Sequence, residues 1–87
     1  MDIKLPDLTI QPGWTAESQL TKINEEYLEV VEAVKNGDPI NTIKEALDLM
    51  QTAKTLIVIV AKEWGIRSLK RFMVEHCDKL SRKGYME

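Results

Sequence analysis

Leu20, Ile23, Tyr27, Val30, Val31 and Val34 recur three and four residues apart. That spacing predicts a first helix with one apolar stripe. Thr15 is a suitable N-cap, with Glu17 and Ser18 in the first turn, and Gly37 supplies a stop after about Asn36. Asp38-Pro39 then opens a second helix, with Asp38 as N-cap and Pro39 at the first helical position. Nothing interrupts this helix before Gly65. Ile40, Ile43, Leu47 and Met50 form a stripe in its first half, whereas Leu56 to Ala61 is apolar on every side. The β-branched residues there do not make a strand, because no turn signal separates them from the helical pattern on either side. A third helix is predicted from Ile66 or Ser68 to Lys83, ahead of Gly84. Its stripe is Leu69, Phe72, Met73, His76 and Leu80. Before the first helix, Pro6, Pro12 and Gly13 exclude regular structure. Ile3, Leu5, Leu8, Ile10 and Trp14 are too apolar for a solvated tail. Residues 1–14 therefore read as an arm lying across a helical surface, anchored by Trp14, and residues 15–87 as a single helical domain.

The fold class is all-α: a helical hairpin plus a third helix. Eighty-seven residues make one small domain, and a chain this short buries only about 60% of its unfolded surface. The second helix would be about 39 Å long. A compact globule of this length, with a radius of gyration near 12 Å, would be only about 31 Å across. The far end of that helix needs cover, and a second copy of the chain is the natural source. The expected assembly is a homodimer or homotetramer with a bundle of at least four long helices.

Charge and composition exclude several functions. A net charge of −2 gives no footprint for a nucleic-acid polymer or an anionic membrane. The longest apolar run, Leu56 to Ala61, is far shorter than the roughly 20 residues of a membrane span. The single cysteine, Cys77, cannot form an intrachain disulfide. With no signal peptide in the mixed N-terminal segment, the protein reads as cytoplasmic.

Two acidic groups carry the candidate chemistry: Glu25-Glu26-Tyr27-Leu28-Glu29 and, fifteen residues later, Glu45-Ala46-Leu47-Asp48. Helical positions three apart share a face, so Glu26 pairs with Glu29 and Glu45 with Asp48. Glu26 lies at the edge of the apolar stripe, about 90° from its centre. In an antiparallel hairpin the four carboxylates converge. Bare carboxylates at close range repel one another and lose hydration, and a hard divalent cation relieves both costs. A ferritin-like di-iron site needs Glu-x-x-His pairs, but the sole histidine, His76, follows Met73 by three. Zinc prefers His and Cys, of which the chain has one each. An all-carboxylate set suits magnesium, with manganese as the alternative. Magnesium retains waters and takes substrate phosphates, which implies a phosphate-bearing ligand. Lys79 and Arg82, three apart on the basic third helix, can then face a polyphosphate, and the spare carboxylate Glu25 can orient or deprotonate water. Periodicity alone leaves two alternatives open: a solvated acidic face, and a non-catalytic helical oligomer whose acidic face serves protein interaction.

The two acidic motifs resemble the EExxE…ExxD signature of MazG-type nucleotide pyrophosphohydrolases, whose spacer brackets the fifteen residues found here. The segment His76-Cys77-Asp78-Lys79-Leu80-Ser81-Arg82-Lys83-Gly84-Tyr85 is similar to an H-x-x-K-L-x-x-R-G-Y ending in small members, with Lys83 where arginine is usual. The resemblance covers about residues 20 to 85. It implies an all-α, MazG-like four-helix-bundle-type fold built from two or more chains. It also implies magnesium-dependent hydrolysis of a nucleoside triphosphate to the monophosphate and pyrophosphate, in a house-cleaning role on the nucleotide pool. By motif position, Glu26, Glu29, Glu45 and Asp48 would bind metal, with Glu25 as a further ligand or the water-orienting base. Lys79 and Arg82 or Lys83 would hold phosphates.

Overall fold

The computed structural model describes residues 2–86. It is all-helical: α1 spans Ala16–Lys35, α2 spans Pro39–Glu63 and α3 spans Lys70–Arg82. Local chemistry explains most of these boundaries. The Thr15 hydroxyl accepts from the Ser18 amide while the Ser18 hydroxyl accepts from the Thr15 amide, a reciprocal capping box. The Asp38 carboxylate accepts from the Asn41 amide at 3.0 Å, with Pro39 at the head of α2. Gly37, at φ 63°, makes the reversal between the two helices. The third helix starts later than its sequence suggests, at Lys70 rather than between Ile66 and Ser68. Residues 66–69 are non-helical; the N-cap residue Leu69 makes no side-chain cap, and the Ser68 hydroxyl accepts from the Lys70 amide at 3.2 Å.

α1 and α2 pack against each other as an antiparallel hairpin. The face that α1 buries differs from the predicted stripe. Gln19 and Ala33 are buried, with Ile23, Glu26, Val30 and Val31 partly buried, whereas Leu20, Tyr27 and Val34 remain exposed. The contact row runs 19, 23, 26, 30, 33, which is itself a helical period. Glu26 therefore stands within the interhelical face rather than at its edge.

The core is thin. Its buried apolar residues among those described are Ala33, Ile59 and Ala61. The apolar half of α2 is not covered all round, since Ile57 is half exposed. α3 packs on neither α1 nor α2. An apolar groove separates it from α2, lined by residues including Ile57, Val60, Leu69, Phe72, Met73 and His76. The radius of gyration is 15.0 Å, against about 12 Å for a compact chain of this length.

The arm lies across α2. The Lys54 ammonium donates to the carbonyls of Leu5 (2.9 Å) and Pro6 (3.2 Å) and pairs with the Asp7 carboxylate at 2.8 Å. The Gln51 carboxamide donates to the Pro6 carbonyl at 3.0 Å. The Lys54 contact holds the Asp7 carboxyl below its ordinary value, first by hydrogen bonding and then by charge. No helix among the described residues is long and apolar enough to cross a membrane.

Candidate metal and phosphate centre

The hairpin brings acidic residues of both helices together. Glu26, Glu29 and Glu45 each offer a carboxylate oxygen, and the three oxygens lie within 4.8 Å of one another. Glu26 and Glu29 are one turn apart on α1, and Glu45 faces them from α2. Asp48 lies outside this three-way group, but its charge acts on both Glu26 and Glu45.

The electrostatics show the strain of this arrangement. The Glu26 carboxyl is pushed above its ordinary value by burial, then by the charges of Glu29 and Asp48, with Lys22 pulling the other way. The Glu45 carboxyl is also raised, first through its hydrogen-bonding contact with Glu29, then by burial and the neighbouring carboxylates. One oxygen of Glu26 and one of Glu45, the Oε2 atoms, are buried without a hydrogen-bond partner among the described residues. Orphaned buried polar atoms are rare in folded proteins. Two of them, in a cluster made only of oxygen donors, fit a hard divalent cation.

The other predicted residues are placed differently. Glu25 is exposed, outside the cluster and the clefts beside it. Lys79 and Arg82 lie in the last turn of α3, with Lys83 at its C-cap, and all three are exposed. Because α3 packs on neither helix of the hairpin, one chain does not bring these cations to the carboxylates. His76 lines the apolar groove, away from the cluster.

Two clefts flank the carboxylates. Toward the hairpin turn, one is lined by Leu28, Glu29, Glu32, Asn41 and Glu45. Toward the open end, a cleft of about 290 Å³ has Gln19, Lys22, Glu26, Asp48, Thr52 and Thr55 among its lining residues, with Leu8 and Trp14 contributed from the arm. Sequence reasoning missed Gln19, Lys22, Thr52 and Thr55. A signal was present: Gln19 lies seven residues before Glu26, Lys22 four before it, and Thr52 and Thr55 four and seven after Asp48. Those intervals keep all four near the carboxylate faces.

Fold and site define a class: an all-α protein whose helical hairpin concentrates carboxylates into a cation-competent centre. The family described as phosphoribosyl-ATP pyrophosphohydrolase matches residues 8–72. The chain belongs to this MazG-like, all-α family, which assigns it a pyrophosphohydrolase role in general terms. The matched span includes both acidic motifs and ends before Lys79, Arg82 and Lys83. No curated protein and no solved structure matches the chain.

Proposed function

We propose that this protein hydrolyses a nucleoside triphosphate to the monophosphate and pyrophosphate, with magnesium held by Glu26, Glu29, Glu45 and Asp48. The observation that carries the reading is the pair of buried, unpartnered oxygens on Glu26 and Glu45 inside a three-carboxylate cluster. Family membership supports the same bond class. When bound, a divalent cation there polarises phosphate oxygens and offsets their charge.

The chain's own residues do the rest. Lys22, beside Glu26, supplies a positive charge at the edge of the cluster. Glu25, exposed and outside the cluster within one chain, orients the attacking water and takes its proton once assembly brings it to the site. The water oxygen bonds to a phosphorus of the α–β anhydride, the bridging bond breaks, and pyrophosphate leaves. Lys79 and Arg82 or Lys83 hold phosphates contributed to a neighbouring chain's site, since α3 does not reach the carboxylates of its own chain. The functional unit is then a homodimer or homotetramer. The extended shape and the uncovered apolar groove of α2 and α3 support that assembly.

Phosphoribosyl-ATP, the compound in the family's name, carries the same triphosphate and belongs in the substrate panel. The test is pyrophosphate release from canonical and modified nucleoside triphosphates and phosphoribosyl-ATP, with and without magnesium or manganese. Metal-dependent release by the wild type, lost in Glu45→Gln, is expected. Absence of release from every member, with either metal, would leave the acidic face to protein interaction.

A further inference from the structure

The two clefts beside the carboxylates differ in character. The cleft toward the turn is lined by acidic Glu32 as well as the cluster itself. The cleft toward the open end has a floor of Gln19, Thr52 and Thr55, which are only 5%, 4% and 5% exposed. The Thr52 hydroxyl donates to the Asp48 carbonyl and the Thr55 hydroxyl to the Gln51 carbonyl, which leaves their lone pairs as acceptors. The Gln19 side chain, in contrast, forms no hydrogen bond with another described residue, although it lines the cleft. A carboxamide is planar and presents a donor beside an acceptor, the pattern that reads the edge of a heterocyclic base.

Trp14 lines the same cleft and adds an aromatic wall. Stacking on an aromatic side chain is the general way to hold a base by its face. The wall is built by the arm and pinned from α2: Lys54 grips Leu5, Pro6 and Asp7, and Gln51 grips Pro6. Leu8, the next residue, closes the same cleft. At about 290 Å³ the space lies at the small end of ligand pockets. It suits a ring system rather than a whole nucleotide, and Glu26 and Asp48 are part of its lining.

We propose that this cleft binds the base of the nucleotide, with Gln19 reading the base edge, Trp14 covering its face, and the arm pinned by Lys54 serving as its wall. The proposal rests on the nucleotide substrate inferred above. It orients that substrate with the base toward the open end of the hairpin and the triphosphate on the carboxylates.

Trp14 and Trp64 are the two tryptophans of the chain, and Trp64 is an exposed helix cap. A Trp64→Phe protein therefore reports from Trp14 alone. It is titrated, with magnesium, against α,β-methylene nucleoside triphosphates of each base and against tripolyphosphate. Fluorescence is expected to change with at least one nucleotide and not with tripolyphosphate. Gln19→Ala should raise KM for the nucleotide selected, about 2- to 10-fold for a lost neutral hydrogen bond. Trp14→Ala should raise it about 5- to 100-fold. If nucleotides are hydrolysed but Trp14 stays silent and the Gln19→Ala KM is unchanged, the base lies elsewhere and this inference falls while the activity stands. If no nucleotide is bound or hydrolysed, both fall.

Discussion

Adding a divalent cation should stabilise the protein, and removing one carboxylate should reverse the order of stability. Without a cation, Glu26, Glu29 and Glu45 crowd three oxygens within 4.8 Å, and one oxygen each of Glu26 and Glu45 is buried without a partner. Glu45→Gln removes one of the mutually repelling charges, so the cation-free variant should melt above the cation-free wild type. A ligand that binds only the folded state at 100 times its dissociation constant adds about 2.7 kcal/mol. In a domain of this size each kcal/mol moves Tm by about 4–8 °C. Saturating magnesium or manganese should therefore raise the wild-type Tm by roughly 10–20 °C. Glu45→Gln loses a charge and a donor from the site, so its shift should be much smaller and the two curves should cross. The assay is calorimetry at constant ionic strength, because salt also screens carboxylate repulsion. An unmoved wild-type Tm in both cations, or an equal rise in the variant, would refute the reasoning.

Three other outcomes follow from the same structure. Glu26 and Glu45 have raised folded-state values, so the folded protein holds their protons more tightly than the unfolded chain does. Their contribution to stability is present below the unfolded glutamate value, about 4.3, and is lost as pH rises through the folded values. Cation-free Tm should show this fall across that window relative to a Glu26→Gln/Glu45→Gln control, and parallel curves would contradict it. Ile59→Ala empties one of the few buried apolar positions and should cost about 2–5 kcal/mol in denaturant unfolding; a cost below 1 kcal/mol would mean that Ile59 is not core. Phe72→Asp places a charge in the apolar groove and should reduce the assembly by light scattering, whereas an unchanged mass would exclude the groove as the interface.

The ends of α1 and the start of α2 were legible in the sequence because they are local. Thr15 with Ser18, Asp38 with Pro39, and Gly37 satisfy or release backbone groups within a few residues. The convergence of Glu26, Glu29 and Glu45 was legible for the same reason, since three-residue spacing on two helices joined by a tight turn leaves little choice of geometry, whereas Asp48, expected with them, lies outside that group. The buried face of α1 was not. Apolar side chains occur on more than one side of that helix, and hydropathy favoured Leu20, Tyr27 and Val34, which the structure exposes. Burial is decided by the surface α2 presents, and that partner selects the row through Gln19, Glu26 and Ala33.

The start of α3 escaped prediction because residues 66–69 carry apolar positions compatible with helix and its N-cap, Leu69, has no side chain that can cap. The cleft beside the carboxylates escaped for a different reason. It depends on Gln51 and Lys54 gripping backbone carbonyls more than 40 residues away. Main-chain carbonyls exist at every residue, so no pattern of side chains marks which of them will be held. The amino-acid order alone thus determined the helices and the charge they concentrate. Only tertiary packing decided which oxygens lose their water, which face is buried and what the arm covers, because each of those depends on surfaces meeting across long stretches of chain.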